Sequence, residues 1–93
     1  MTYEIYLGHQ AKKEMAKIDR SLARRLRDRL RELAVNPLDP RLARQMETDQ
    51  NRRYSQVGDW RIVFQVIGEQ KVIEVSTIQH RGLGLPGIGK IDY

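Results

Sequence analysis

The chain contains no cysteine, which removes two common ways of stabilising a small protein. Neither a disulfide framework nor a thiolate metal site can form. Its 93 residues fit one domain, and a domain of that size buries only about 60–65% of the surface that its unfolded chain exposes. We therefore predict a single domain, residues 1–93, whose thin core is held by side-chain packing alone.

Long apolar segments are also missing. No run approaches the roughly 18 residues that a membrane-spanning helix needs. The first residues lack the apolar segment of a secretory signal peptide. From these two absences we expect a soluble, cytoplasmic protein.

The common motifs for binding nucleotides or metals are absent as well. There is no Gly-rich phosphate loop, no cluster of His, Asp and Glu at metal-ligand spacing, and no plausible catalytic triad. The two histidines, His9 and His80, fall in segments of different kinds. We therefore expect no metal and no cofactor.

Positive charge, in contrast, is abundant and unevenly placed. Seventeen Lys and Arg against 12 Asp and Glu give a net charge of +5. Between His9 and Asn36, nine basic residues oppose four acidic ones, which accounts for the whole excess. Arginines outnumber lysines by 12 to five, and the planar guanidinium suits phosphates and stacked bases. This distribution indicates nucleic acid or an acidic protein as partner, although a solvated helix surface explains it equally well.

The first third of the chain predicts a strand and two helices. Residues 2–7 alternate apolar and polar side chains, as a strand does, and Gly8 ends them. Apolar residues at helical spacing then predict a short helix ending around Asp19. A second helix, capped by Asp19 or Ser21, ends at Asn36-Pro37. Its predicted buried stripe is Leu22, Leu26, Leu30 and Leu33.

The remainder predicts a loop, three strands and an irregular tail. Residues 37–51 form the loop, with one helical turn near Leu42 to Met46. The strands run from Arg53 to Val57, from Trp60 to Ile67 and from Lys71 to Ile78, and the second is central because both of its faces are apolar. Residues 82–93 hold four glycines and one proline and form the tail. The fold class is therefore α+β: an N-terminal strand, an antiparallel helical hairpin on one sheet face, and a three-stranded antiparallel meander.

The strands and their flanks carry a set of cations that suits phosphate chemistry. If Ile67 faces Lys71 across the hairpin, Arg61 lies opposite Thr77, and Arg81 starts roughly 13 Å from Arg61. Two arginines around a phosphodiester stabilise the charge that builds on phosphorus without a metal. The 2′-hydroxyl of RNA is then the internal nucleophile, which needs only a base and an acid. The candidate cations are Arg52, Arg53, Arg61, His80 and Arg81.

Each of these residues also has a plainer interpretation. Arg61 can pair with Asp59 or Glu74, and His80, although imidazole is a common proton-transfer group, can be a surface or hydrogen-bonded side chain. Tyr54 can stack on a base or pack inward. The aromatic residues of the central strand, Trp60 and Phe64, are expected in the core.

Two segments together resemble the RelE/ParE toxin superfamily. The stretch Tyr54-Ser-Gln-Val57-Gly58-Asp59-Trp60-Arg61-Ile62-Val63-Phe64 resembles its "R-V-G-D-Y-R-hydrophobic-hydrophobic-Y" strand pair, and residues 72–81 are similar to its closing strand, which ends in "I-G-H-R". The likeness covers roughly residues 2–82. It implies a RelE-like toxin of a type II toxin–antitoxin system, a metal-independent endoribonuclease that cleaves messenger RNA in the ribosomal A site and is neutralised by a cognate antitoxin.

The resemblance also assigns roles by position. Arg61 resembles the family's transition-state arginine, Arg81 its second phosphate-binding arginine, and Arg52 a basic residue of the preceding strand. His80 falls on a variable basic or histidine position, where it is a candidate for proton transfer. Arg53 and Tyr54 are candidate RNA contacts beside Arg52. The antitoxin is expected on the second helix, at Leu22, Arg24, Arg25 and Arg29.

One position departs from the RelE pattern. RelE-type nucleases carry a tyrosine about six residues after the final arginine, and Gly87 stands there in this sequence. Tyr93 or Tyr54 can substitute, or cleavage is weak. The departure leaves open a ParE-like toxin that inhibits DNA gyrase without chemistry, and a co-repressor that only binds an antitoxin and reaches operator DNA through it.

Overall fold

A computed structural model describes residues 2–80 of the chain. The predicted α+β fold class is confirmed, with two helices and one five-stranded sheet. Within these residues no helix is both long enough and apolar enough to cross a membrane. The predicted irregular tail, 82–93, lies outside the described residues. In chain order the elements are β1 (Glu4–Leu7), α1 (His9–Lys17), α2 (Arg20–Val35), β2 (Arg44–Gln45), β3 (Arg53–Val57), β4 (Trp60–Ile67), a 3₁₀ turn (Gly68–Gln70) and β5 (Val72–His80).

The two helices begin and end where the sequence predicts, within two residues. The carboxylate of Asp19 accepts a hydrogen bond from the Leu22 backbone N–H at 2.7 Å, which caps α2. Pro37 follows the last turn of α2 and cannot continue it. Between these limits Leu26, Leu30 and Leu33 are buried, while Leu22 packs against the core only in part.

The sheet has the order β1-β5-β4-β3-β2, with β4 in the middle as predicted. The last three long strands form the expected antiparallel meander. The turn between β3 and β4 contains Gly58 at φ +60°, and a Cβ there would lie 2.9 Å from the guanidinium of Arg25 on α2. The N-terminal strand β1 joins the other edge by pairing parallel to β5, a partner that the sequence did not specify.

Three details of the prediction differ from the structure. The closing strand β5 spans Val72–His80 instead of Lys71 to Ile78. The segment near Leu42 to Met46 forms no helical turn, because Arg44–Gln45 pairs with β3 as a short edge strand, β2. Arg61 also lies opposite Gln79, not Thr77. One residue of the shift comes from Lys71, which extends the β4–β5 loop in a left-handed conformation. The other comes from a bulge at Ser76, the extra residue between two register pairs.

The core lies between the helices and one face of the sheet. Leu26 and Leu33 of α2 belong to the same hydrophobic cluster as Ile62 and Phe64 of β4, and all four are fully buried. Residues paired across strands point to the same face, and neighbours along a strand point to opposite faces. The side chains at Arg61, Val63 and Gln65 therefore point away from the helices. We call this second side, opposite the one on which the helices pack, the open face.

Candidate functional site

Polar side chains gather on the open face where β2, β3 and β4 run side by side. Arg44 of β2 is paired with Tyr54 of β3. One rung further along the sheet, Arg61 lies between Gln56 of β3 and Gln79 of β5. Cross-strand pairing thus assembles two arginines, one tyrosine and two glutamines on one rigid surface.

Arg61 and Tyr54 are in direct contact. The guanidinium carbon Cζ of Arg61 lies 4.5 Å from the centroid of the Tyr54 ring, within the range of a cation–π interaction. The Nε of Arg61 is buried and has no hydrogen-bond partner within residues 2–80. The ion pair of Arg61 with Asp59 or Glu74, offered by the sequence as an alternative, is not found among the salt bridges of these residues. No carboxylate of the described residues therefore compensates the charge of the Arg61 guanidinium through an ion pair.

An open cleft of about 480 Å³ lies beside this contact. Arg44 and Arg61 both line it, and neither forms an ion pair with a carboxylate of residues 2–80. The single acidic side chain on its wall is Glu47. A cleft with two uncompensated guanidinium groups attracts anions, and a guanidinium binds phosphate oxygens in a bidentate manner. Its walls are formed by Arg44, Gln45, Met46, Glu47, Thr48, Tyr54 and Arg61.

A second cleft, of about 430 Å³, shares Arg44 and Tyr54 with the first. It lies between the loop that follows α2 and strand β3. Here Arg41 is neutralised by Asp39, whose carboxylate accepts from its Nη2 at 2.8 Å and from its Nε at 3.2 Å. These hydrogen bonds, followed by the one from the Arg41 backbone, hold the pKa of Asp39 below its ordinary value. Arg29 pairs with Glu32 and Arg41 with Asp39, so Arg44 is the one arginine lining this cleft that forms no ion pair within residues 2–80.

Arg52 reaches across the open face from the start of β3. Its Nη1 lies 3.4 Å from the hydroxyl oxygen of Ser76 at the β5 bulge, and its Nε lies 3.3 Å from Asp49. The structure thus brings Arg52, Tyr54 and Arg61 to the same side of the sheet, as a common phosphate site requires.

The other two described candidates lie on the opposite face. His80 is the register partner of Trp60, which packs against the core, and the two rings meet edge to face with centroids 5.1 Å apart. Arg53 is paired with Phe64 and donates to the Ala43 carbonyl at 3.4 Å. His80 and Arg53 therefore lie on the face of the sheet opposite Arg61, because adjacent strand residues alternate between faces, and their catalytic and RNA-binding roles stay predictions. The predicted core positions of Trp60 and Phe64 are confirmed.

Two predicted catalytic residues, Arg81 and Tyr93, lie outside the described residues, as does Gly87. Their roles stay predictions. The structure instead adds two residues that the sequence did not single out, Arg44 and Gln79. Arg44 was missed because a two-residue strand has no visible alternation, and Gln79 because the bulge changes the partner of Arg61.

The residues predicted to bind an antitoxin have unequal environments on α2. Arg24 is exposed, and Arg25 lies against the Gly58 turn. Arg29 instead clamps the helix to the sheet, because its Nη1 donates to both the Ser55 hydroxyl and the Gln56 carbonyl at 2.8 Å. Leu22 is partly taken up by the core. Arg24 and Arg25 are therefore the two that remain most available to a partner.

Comparison with solved structures shows the same fold in several toxins. The RelBE2 toxin–antitoxin complex from Mycobacterium tuberculosis matches with a TM-score of 0.77 and 14% identity, covering 87% of this chain and 100% of that one. The archaeal RelE–RelB complex from Pyrococcus horikoshii matches with a TM-score of 0.72 and 24% identity, covering 90% of this chain and 100% of that one. The intact RelBE complex from E. coli matches with a TM-score of 0.72 and 22% identity, covering 82% of this chain and 93% of that one.

Sequence comparison supplies the family. No curated protein matches the chain. The family model described as "ParE toxin of type II toxin-antitoxin system, parDE" matches residues 5–82, which include both helices and all of the sheet except Glu4 of β1. The resemblance seen in the strand motifs is thereby confirmed, and the chain belongs to the RelE/ParE family of toxins from type II toxin–antitoxin systems.

Proposed function

We propose that this toxin is a ribosome-dependent endoribonuclease of the RelE type, which cleaves messenger RNA in the A site without a metal. The observation that carries the proposal is the pair of uncompensated arginines, Arg44 and Arg61, around Tyr54 in the open-face cleft. A toxin that acts only by binding a protein has no need of a cleft with this chemistry. A nuclease needs cations that approach a phosphodiester and keep their charge.

The chemistry divides among the residues of this surface as follows. The 2′-hydroxyl of the nucleotide before the cut loses its proton and attacks the phosphorus, the bond from phosphorus to the 5′-oxygen of the next nucleotide breaks, and that oxygen takes up a proton, which leaves a 2′,3′-cyclic phosphate and a 5′-hydroxyl. The guanidinium of Arg61 binds the phosphate oxygens on which negative charge accumulates. Arg52 and Arg44 hold the neighbouring phosphates. Arg81, which follows His80 in the sequence, is proposed as the second arginine at the scissile phosphate, and Tyr93 as the aromatic residue that replaces the tyrosine missing at Gly87.

Primer extension on messenger RNA from cells that express the toxin tests this proposal. Wild-type protein is expected to produce new ends within codons, and Arg61→Ala is expected to abolish them. Arg31→Ala is the matched control, because Arg31 lies on the exposed side of α2, paired with Asp28 at 2.7 Å. Identical transcripts from cells with wild-type protein and Arg61→Ala contradict the proposal.

We also propose that a cognate antitoxin neutralises the toxin by binding α2. The proposal draws on the solved relatives that are toxin–antitoxin complexes and on the positive charge of α2. Arg24→Glu with Arg25→Glu is expected to weaken the complex at least tenfold in a co-purification or calorimetric assay. Unchanged affinity would remove this surface from consideration. Arg29 is left intact because it clamps the helix to the sheet.

A ParE-like toxin that inhibits DNA gyrase is the second candidate. The matching family model, which is described by the ParE name, favours it. A supercoiling assay with purified gyrase separates the two functions. Inhibition that persists in Arg61→Ala supports gyrase as the target, and unaffected supercoiling at high toxin concentration removes it.

A further inference from the structure

The contact between Arg61 and Tyr54 differs from the way other arginines of this chain are held. Arg31 and Arg41 are bound by carboxylates, at 2.7 Å and 2.8 Å respectively. Their charge is compensated, and some of their N–H donors are occupied. Arg61 is instead held by an aromatic ring 4.5 Å away. A ring attracts the cation through its quadrupole without neutralising it and without using an N–H group.

The inner end of the Arg61 side chain is equally informative. Its Nε is buried and its N–H donates to no acceptor within residues 2–80, so no described hydrogen bond from this atom fixes the rotation of the guanidinium plane. The Tyr54 ring, 4.5 Å from the guanidinium carbon, is the described group that orients this plane. The two Nη groups carry four N–H donors, and none of them bonds to a residue of the described range.

Tyr54 itself stands on a rigid support. It lies in β3, between the edge strand β2, where its register partner is Arg44, and the central strand β4, where its register partner is Val63. Its hydroxyl makes no hydrogen bond to any residue in 2–80, so the contact with Arg61 is made by the ring. The ring face that covers Arg61 is no longer available for a base.

We propose that Tyr54 is a positioning residue, whose ring presents the charged guanidinium of Arg61 to the scissile phosphate. This assignment replaces the earlier expectation that Tyr54 stacks on an RNA base. It rests on the proposed nuclease function. A rigid group that orients a phosphate-binding cation lowers the cost of arranging it in the transition state.

Two substitutions of the same residue test the assignment on programmed ribosomes. Tyr54→Phe keeps the ring and removes the hydroxyl, and it is expected to cleave within about twofold of wild type. Tyr54→Leu removes the ring, and its kcat is expected to fall about tenfold with little change in KM. Tyr6→Leu is the matched control, because Tyr6 is exposed on the same open face but far along the sheet, in β1 opposite Glu74.

A double-mutant cycle shows whether Tyr54 acts through Arg61. Adding Tyr54→Leu to Arg61→Ala is expected to cost no further activity, since the group that Tyr54 positions is already gone. A further tenfold loss overturns the assignment and indicates a direct role in RNA binding. Equal losses of activity in Tyr54→Phe and Tyr54→Leu also overturn the assignment, because the hydroxyl would then be the active group. A rise in KM at constant kcat overturns it as well.

One measurement is independent of any activity. The side-chain protons of Arg61 are expected to be shifted upfield by the ring current of Tyr54, in wild type and Tyr54→Phe but not in Tyr54→Leu. An unshifted Arg61 resonance in wild type overturns the contact itself. Absence of cleavage by wild type overturns the proposed nuclease function, and with it the catalytic consequence of the contact. Failure of the contact is seen in the NMR spectrum and failure of the function in the cleavage assay, so the two are distinguishable.

Discussion

His80 meets Trp60 edge to face, with ring centroids 5.1 Å apart and planes inclined by 87°, on the face of the sheet that the helices cover. The next residue of β4, Arg61, points to the open face, where Gln79 is its neighbour on β5. The sheet itself therefore stands between the imidazole and the proposed phosphate site.

Replacing His80 with Ala is expected to leave cleavage within about twofold of wild type. Loss of the aromatic pair should instead lower the free energy of unfolding by about 1 kcal/mol. Urea denaturation and cleavage on programmed ribosomes measure the two effects separately. A loss of activity comparable to that of Arg61→Ala would return His80 to the catalytic site.

Ser55 is the central residue of the link between α2, β3 and the loop after α2. Its side chain is fully buried, accepts from Arg29 at 2.8 Å and donates to the Leu42 carbonyl at 2.6 Å. Ser55→Ala leaves both partners without this bond, so it is expected to destabilise the protein by about 1–3 kcal/mol. Ser21→Ala, at an exposed position of α2, is the control and should change stability by less than about 0.5 kcal/mol. Equal denaturation midpoints for the two variants would contradict the proposed link.

Asp39 gives the loop after α2 a pH-dependent stability. Hydrogen bonds from Arg41 lower the pKa of Asp39 below its ordinary value of 3.8. A carboxyl with a lowered pKa in the folded state contributes stability at neutral pH and loses it as the pH falls through that folded pKa. Wild type should therefore melt above Asp39→Asn at pH 7, and the difference should disappear in strong acid. A difference that stays constant down to pH 2 would contradict this origin.

Arg44 is expected to bind a phosphate of single-stranded RNA. Arg44→Ala should weaken binding of a short RNA and lower the slope of log K against log salt by about 0.7, the contribution of one phosphate contact to a single strand. Arg31→Ala removes the same charge on the far side of α2 and should leave the slope unchanged. Equal slopes for both variants would exclude Arg44 from the path of the RNA.

The sequence predicted those elements whose limits are set by local chemistry. Both β3 and β4 have the predicted bounds because Gly58-Asp59 separates two strongly strand-forming segments, and α2 ends at a proline. The sequence did not predict the pairing of β1 with β5, because that pairing depends on how the two helices place the later strands relative to β1. A two-residue edge strand such as β2 also leaves no pattern to detect.

For the candidate site, the strand motif identified Arg61 but not the residues that surround it. Lys71 and the Ser76 bulge each shift the register by one residue, so together they change the partner of Arg61 and preserve its face. The separation of His80 from Arg61 on opposite faces follows from strand alternation alone. The sequence analysis grouped the two because His80 directly precedes Arg81, the other proposed phosphate-binding arginine. The contact of Arg61 with Tyr54 is diagonal between strands, and only the three-dimensional register reveals it.

The most direct test of the account uses purified toxin, freed of its antitoxin, and ribosomes programmed with one defined messenger RNA. Mapping the RNA ends over time measures cleavage without other cellular nucleases. We expect wild type and Arg31→Ala to cut the A-site codon at equal rates, and Arg61→Ala to cut at least about 100-fold more slowly. Messenger RNA that stays intact with wild-type toxin, or that Arg61→Ala cuts as fast as wild type, would contradict the account.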